Sequence, residues 1–168
     1  MEIKICEVFS DCLNNINLEF SEKGITALIG CDESCKTNLI KLIIGYQKID
    51  KGYIKYGRKK IDNLSNDTKI KSIKEDIFYV GADYSEFLFN INIKEDINYY
   101  IKDYEENTLM ESLKLFNLDK DILYKSYLDL SSIEYKKVLM LLVIMSKAKV
   151  IIIEEPTLNL DYNVHQLL

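Results

Sequence analysis

The run VIIIEEPTLNLD, from Val150 to Asp161, constrains this chain more than any other segment. Its first four residues are all β-branched, which favours a strand. A strand that is apolar at every position is the pattern of a parallel strand covered on both faces. Such a strand calls for an α/β architecture with layers on either side. It ends in two carboxylates, Glu154 and Glu155. In isolation, a solvated acidic pair at an exposed strand end would look the same.

A second segment, GCDESCKT from Gly30 to Thr37, follows the apolar run Ile25 to Ile29. The run reads as a short buried strand entering a loop. Beyond it, Leu39, Ile40, Leu42 and Ile43 fall on one helical face, and Gly45 is a natural stop. Strand, loop and helix closing on Lys-Thr fit the phosphate-binding pattern G-x-x-x-x-G-K-[ST], except that Cys35 replaces the glycine before Lys36. Glycine serves there by reaching positive φ; a cysteine in that geometry costs about 1–2 kcal/mol. Glu33 adds negative charge where polyphosphate would lie. Alone the motif is weak, since a surface turn with a helix-opening lysine has the same letters. Cys35 before a helix N-terminus also fits a low-pKa thiol. Taken with Glu154 and Glu155, the segment supplies the parts of Mg-nucleotide chemistry. Lysine meets phosphate, a hydroxyl meets Mg²⁺, and carboxylates hold metal and orient water.

Composition narrows the classes. The 168 residues suit one domain with a real core, and 29% charged with 48% hydrophobic residues is ordinary for a globular chain. A net charge of −5 argues against binding nucleic acid, which relies on basic surface. The longest apolar stretch, VLMLLVIM at 138–145, is far below the roughly 18 residues that span a bilayer. The acidic start MEIKICEVFSD does not read as a signal peptide, so a cytoplasmic chain is expected. Cys6, Cys12, Cys31 and Cys35 lack the paired spacing of a zinc site, and His165 is remote from them. In that compartment they are expected as free thiols.

Along the chain, Ile3, Ile5 and Val8 alternate as a half-buried strand, continued by Leu13, Ile16, Leu18 and Phe20. YIKY between Gly52 and Gly57 and IFYV at 77–80 read as further strands. From about 86 to 128, apolar residues recur at helical spacing, among them Leu88, Ile91, Ile93, Ile97, Tyr100, Leu109, Leu113, Leu115 and Phe116. This is expected to be a small helical unit. Ser131 or Ser132 then caps a long helix with VLMLLVIM at its core.

With these segments in order, the chain resembles the nucleotide-binding domain of ATP-binding cassette (ABC) ATPases from end to end. GCDESCKTNLIKLIIGYQKIDKGYI resembles the family's phosphate loop and the helix after it. LFNINIKEDI at 88–97 resembles the opening of its helical subdomain. LSSIE at 130–134 sits where the family has its signature LSGGQ, and EEPTLNLD at 154–161 where it has Walker B, the catalytic glutamate and the D-loop. The resemblance implies a P-loop NTPase fold: an α/β core at 1–85 and 135–168, with a helical subdomain at about 86–134. It implies ATP and Mg²⁺ as ligands. Gly30, Ser34, Cys35, Lys36, Thr37 and Asn38 would form the phosphate loop, Lys36 meeting the β/γ-phosphates. Thr37 and Glu154 would hold Mg²⁺. Phe9 would stack on adenine, and Glu155 would be the general base. Ser131 would meet a partner subunit's γ-phosphate, and Asp161 would reach across the dimer.

The departures from the family pattern are specific. Glu33 and Cys35 stand in place of glycines. Ala82 stands where the family has a metal- and water-contacting glutamine. Ser132, Ile133 and Glu134 replace Gly-Gly-Gln, whose open backbone leaves helix N–H groups free for phosphate. Glu154 replaces an aspartate. The switch histidine and the strand that carries it would lie a couple of dozen residues beyond Leu168, and His165 comes too early to match. The expectation is an ATP-binding subunit of a membrane transporter with weak hydrolysis. Its partners would be a transmembrane permease and a second nucleotide-binding domain, and it would lie at the inner face of the cell membrane. The alternatives are a non-catalytic regulatory or scaffold module, and a remnant without ATPase activity.

Overall fold

The structure, a computed structural model, describes residues 1–31, 35–81 and 88–155. The chain divides into two compact units, Met1–Phe78 and Tyr79–Leu168.

In the first unit the alternation at the N-terminus becomes a sheet. Strands β1 (Ile3–Ser10), β2 (Leu13–Phe20), β3 (Lys51–Tyr56) and β4 (Lys59–Asp62) pair antiparallel in the order β2-β1-β3-β4. Ile3, Ile5, Val8, Ile54, Tyr56 and Ile61 are buried. Lys4 pairs in register with Glu19 on one side and Lys55 on the other, and Lys55 pairs with Lys60. The Lys4 ammonium bridges to Glu19 at 3.0 Å and Glu2 at 3.3 Å. β1 shifts register between Cys6 and Phe9, where Glu7 takes φ 50. Gly52 faces this bulge at φ +83, and a Cβ there would collide with the carbonyls of Cys6 and Glu7.

Helix α1 (Lys36–Ile43) buries Leu39, Leu42 and Ile43, and Gly45 just beyond it takes φ +74. The Tyr56 hydroxyl donates to the Ile43 carbonyl at 2.5 Å, tying β3 to the helix end. Burial pushes that phenol's pKa well above the ordinary tyrosine value. Helix α2 (Asp67–Lys74), capped by Asn66, buries only Ile73. That is too thin a stripe to betray a helix by periodicity.

One expectation fails in this unit. Ile25 to Ile29 form no strand, and Ile25 and Ile29 are 95% and 90% exposed. An apolar run becomes a buried strand only when neighbours complete its hydrogen-bond ladder. Neither sheet among the described residues includes this segment.

In the second unit, helices α3 (Ile93–Tyr100) and α4 (Glu106–Leu115) pack on α5 (Ser132–Met145). Two 3₁₀ turns, Lys120–Tyr124 and Tyr127–Asp129, link α4 to α5. α5 is buried continuously from Val138 to Val143. The helical periodicity is realised at Leu88, Ile93, Ile97, Leu109, Leu113 and Phe116, all buried, but not at Ile91 and Leu115, which are 87% and 51% exposed. Asp96, fully buried, has one carboxylate oxygen accepting from the N–H groups of Phe89 and Asn90, both at 3.1 Å. This staples the chain as it enters α3.

β5 (Ile77–Val80) spans the division; its Tyr79 and Val80 lie in the second unit, where β5 pairs with β6 (Val150–Ile153). β6 forms where its β-branched residues predict it. Its expected burial on both faces is overturned: all four residues are half-buried or exposed, Ile151 at 48%. β5 is its only strand neighbour among the described residues.

Candidate functional site

The first group of candidate residues gathers at the start of α1. Among the described residues, four of the five α-helices have N-cap residues with extended backbone, which is the usual geometry: Asn66, Asn92, Glu105 and Ser131. Cys35, the N-cap of α1, is instead left-handed at φ 57 and ψ 22, with no side-chain capping bond. Cys35 thus takes a conformation that suits glycine while carrying a side chain.

Two links hold this turn against the β1–β2 hairpin. Cys35 is joined to Cys12 by a disulfide, with 6.4 Å between the Cα atoms and a sequence separation of 23. The Asn38 side-chain amide donates to the Asp11 carboxylate at 2.6 Å. The expectation of four free thiols is therefore corrected. The hairpin turn carries Cys12 to within bonding reach of Cys35, while Cys6 and Cys31 take no part in this disulfide.

Lys36 turns its ammonium back on the loop, donating to the carbonyls of Gly30 and Cys31, each at 2.6 Å. These two carbonyls hold the lysine back against Gly30 and Cys31. Thr37 is exposed in the first turn of α1. Phe9, half-buried near the end of β1, has the Lys51 ammonium 5.8 Å from its ring centroid. Ser34 and Glu33 lie outside the described residues.

The second group lies in the other unit. Ser131 caps α5 through a full capping box: its hydroxyl accepts from the Glu134 N–H at 3.2 Å, and the Glu134 carboxylate accepts from the Ser131 N–H at 2.9 Å. The same carboxylate oxygen accepts from the Ser131 hydroxyl at 2.8 Å, and Lys125 bridges to the other at 3.0 Å. The Ser131 backbone N–H, then its hydroxyl, then Lys125 draw the Glu134 pKa down to about 2. The start of α5 thus already holds an anion of its own.

Glu154 follows β6, and its carboxylate accepts from the Tyr79 hydroxyl at 3.0 Å. Its N–H donates to the Val80 carbonyl at 2.9 Å, so strand pairing fixes its backbone. Glu155 is exposed and left-handed at φ 47. Ala82, Asp161 and His165 lie outside the described residues.

The structure brings Cys35, Lys36 and Asn38 together in the first group, and Ser131 with Glu134 in the second. Sequence reasoning missed Asp11 and Cys12 as tethers, Lys125 as the Glu134 partner, and Tyr79 as the Glu154 partner. Only the pair Cys12 and Cys35 left a signal, and cysteine spacing does not state connectivity.

Comparison with known proteins gives the groups a context. The family model described as "ABC transporter" matches residues 13–158. The energy-coupling factor transporter ATP-binding protein EcfA3 of Oenococcus oeni is 25% identical over 155 residues, covering 89% of this chain and 54% of its own. A putative ABC transporter ATP-binding protein of Archaeoglobus fulgidus is 28% identical, over 93% of this chain and 66% of its own. This chain therefore spans between about half and two thirds of the length of these two relatives. Among solved structures, cbiO1 from Clostridium perfringens, part of the ABC transporter complex cbiONQ, superposes with a TM-score of 0.80 at 24% identity, covering 98% of this chain and 70% of that one. The ATP-binding cassette MJ0796, solved as a dimer bound to ADP and Pi, gives 0.78 at 17% identity, with 98% and 78% covered. These likenesses establish the P-loop NTPase fold.

Proposed function

The chain belongs to the ABC transporter family as an ATP-binding domain, and from that premise we propose that it binds Mg-ATP in a membrane transporter and hydrolyses it slowly or not at all. The observation that carries the binding half is Cys35. Its backbone is left-handed although the residue is not glycine, and from that turn Lys36 reaches back to the Gly30 and Cys31 carbonyls. Lys36 then exchanges the Gly30 and Cys31 carbonyls for the β/γ-phosphates, with the N-terminus of α1 and Asn38 beside them. Ser34 completes the loop and Phe9 stacks on adenine. Mg²⁺, arriving with the nucleotide, neutralises phosphate charge when bound. Thr37 and Glu154 offer the hard oxygen donors that suit it. Glu155 orients water.

Slow turnover is supported at the α5 N-terminus. Glu134 already satisfies the N–H of Ser131 there, and its negative charge repels a γ-phosphate. Loss of one donor held for the transition state costs about 10²–10³ in rate. The substitution of the family's glutamine by Ala82 acts in the same direction.

The partners in this reading are a transmembrane permease, docked beside the helical subdomain at about 86–134, and a second nucleotide-binding domain reached through Ser131 and Asp161. The names of the relatives, ATP-binding proteins of transport complexes, support that placement. No helix among the described residues is long and apolar enough to cross a membrane. In this reading the chain meets the membrane through the permease, at its cytoplasmic side.

Calorimetry of Mg-ATP against the chain and its Lys36→Ala variant tests the binding half. Binding that the variant loses is expected. ATP cleavage by the purified chain that disappears in Glu155→Gln would overturn the slow-turnover half. A second reading, a scaffold that kept the fold without the ligand, draws on the carbonyls that already engage Lys36. It predicts no binding at millimolar ATP by a cooperatively folded chain.

A further inference from the structure

We propose that the Cys12–Cys35 disulfide is a redox-controlled lock on the phosphate loop, holding Cys35 in the left-handed turn before Lys36 so that its reduction weakens nucleotide binding. The inference rests on the nucleotide-binding reading above.

Three observations converge on it. Among the described residues, Cys35 is the one left-handed N-cap of the five α-helices, and it has no side-chain capping bond to hold it there. Its side chain is tied to Cys12, in the turn between β1 and β2. Asn38, one helical turn on, is anchored to Asp11 in that same turn. The cross-link and this hydrogen bond fix the N-terminus of α1 to the hairpin at two points. A glycine would need no such help, because it reaches positive φ without a Cβ clash. A cysteine released from its cross-link returns to the extended geometry of an ordinary N-cap. Lys36 follows Cys35 directly, so a change at φ and ψ of Cys35 swings the lysine away from the Gly30 and Cys31 carbonyls that mark the cradle.

The chemistry is thiol–disulfide exchange with a low-molecular-weight thiol as reductant. One thiolate attacks a sulfur of the Cys12–Cys35 bond, giving a mixed disulfide and releasing one protein thiolate. A second thiolate displaces the remaining protein sulfur. Two electrons pass from two reductant thiols to the protein disulfide; two protein thiols and one small disulfide result, the protons moving from the reductant thiols to the protein. The reverse, with the small disulfide as oxidant, closes the lock.

The test uses the full chain, oxidised with glutathione disulfide or reduced with dithiothreitol. Peptide mapping without reductant identifies the paired cysteines, and calorimetry measures Mg-ATP affinity. Relaxing a left-handed non-glycine residue corresponds to a loss of about five- to thirtyfold on reduction. Cys12→Ser is expected to bind at the reduced affinity under both conditions. Cys35→Gly is expected to bind more tightly than Cys12→Ser and to ignore reductant. Equal affinity in both redox states, a map without the 12–35 pair, or a Cys35→Gly that binds no better than Cys12→Ser each overturns the lock. Binding by all forms without redox dependence removes the lock and leaves the nucleotide reading standing. Binding by no form, Cys35→Gly included, removes both, even where the map shows the disulfide.

Discussion

The carboxylate of Glu134 accepts a hydrogen bond from the backbone N–H of Ser131 at 2.9 Å, closing the start of α5 with the protein's own charge. The pair is reciprocal, since the Ser131 hydroxyl accepts from the Glu134 N–H. The start of α5 is thus a self-satisfied cap.

The cap has a pH signature. The Glu134 pKa is depressed to about 2 in the folded chain, from 4.5. A carboxyl depressed on folding contributes stability that is present above its unfolded value and lost as pH falls through its folded value. The difference in melting temperature between wild type and Glu134→Gln is therefore expected to be constant above about pH 5 and to shrink between pH 4.5 and 2. A gap independent of pH over that window would refute the assignment. Ser131→Ala, which removes the hydroxyl half of the box, is expected to cost about 1 kcal/mol by denaturant melts.

Helix α5 separates buried from exposed neighbours of similar size. Leu142 is fully buried and Ile144 is half exposed. Leu142→Ala is expected to cost about 2–5 kcal/mol, and Ile144→Ala well under half of that. Comparable losses in urea denaturation would mean that α5 is not packed as described.

Gly52 faces the β1 bulge at φ +83, with the carbonyls of Cys6 and Glu7 where a Cβ would go, whereas Gly24 at φ +110 has open space around it. Gly52→Ala combines backbone strain with a collision, and Gly24→Ala carries the strain alone. The first is expected to lower thermal stability distinctly more than the second, by about 2 kcal/mol or more. The reverse order would show that the bulge yields to the methyl group.

Tyr56 supplies an alkaline counterpart to Glu134. Burial raises its folded pKa above the unfolded value of 10.0. A group raised in this way contributes stability that is fully present below the unfolded pKa and declines as pH rises through the folded one. Wild type is expected to lose stability above about pH 10, while Tyr56→Phe lacks that part of the loss. At neutral pH the variant is expected to be weaker by about 1 kcal/mol, from the lost bond to the Ile43 carbonyl. Parallel pH profiles for the two chains would exclude a buried, protonated phenol.

The sequence by itself determined what local chemistry determines. Alternation at Ile3, Ile5 and Val8 named a strand, the VLMLLVIM core named a buried helix, Ser131 before Glu134 carried the letters of its cap, and a β-branched run placed β6. The ordered motifs also named the family, because their spacing along the chain is itself the signal. Tertiary structure alone decided the rest. Ile25 to Ile29 have a strand's composition, but burial depends on neighbours that complete a ladder, and no local pattern supplies those. Cys12 and Cys35 are 23 residues apart, and nothing short of the β1–β2 turn folding onto the start of α1 brings their sulfurs together. Helix α2, with Ile73 as its only buried residue, exists through the cap at Asn66 rather than an apolar face. Which residues form elements is settled by propensity and period; which elements are covered, and which distant side chains meet, is settled only when the chain closes on itself.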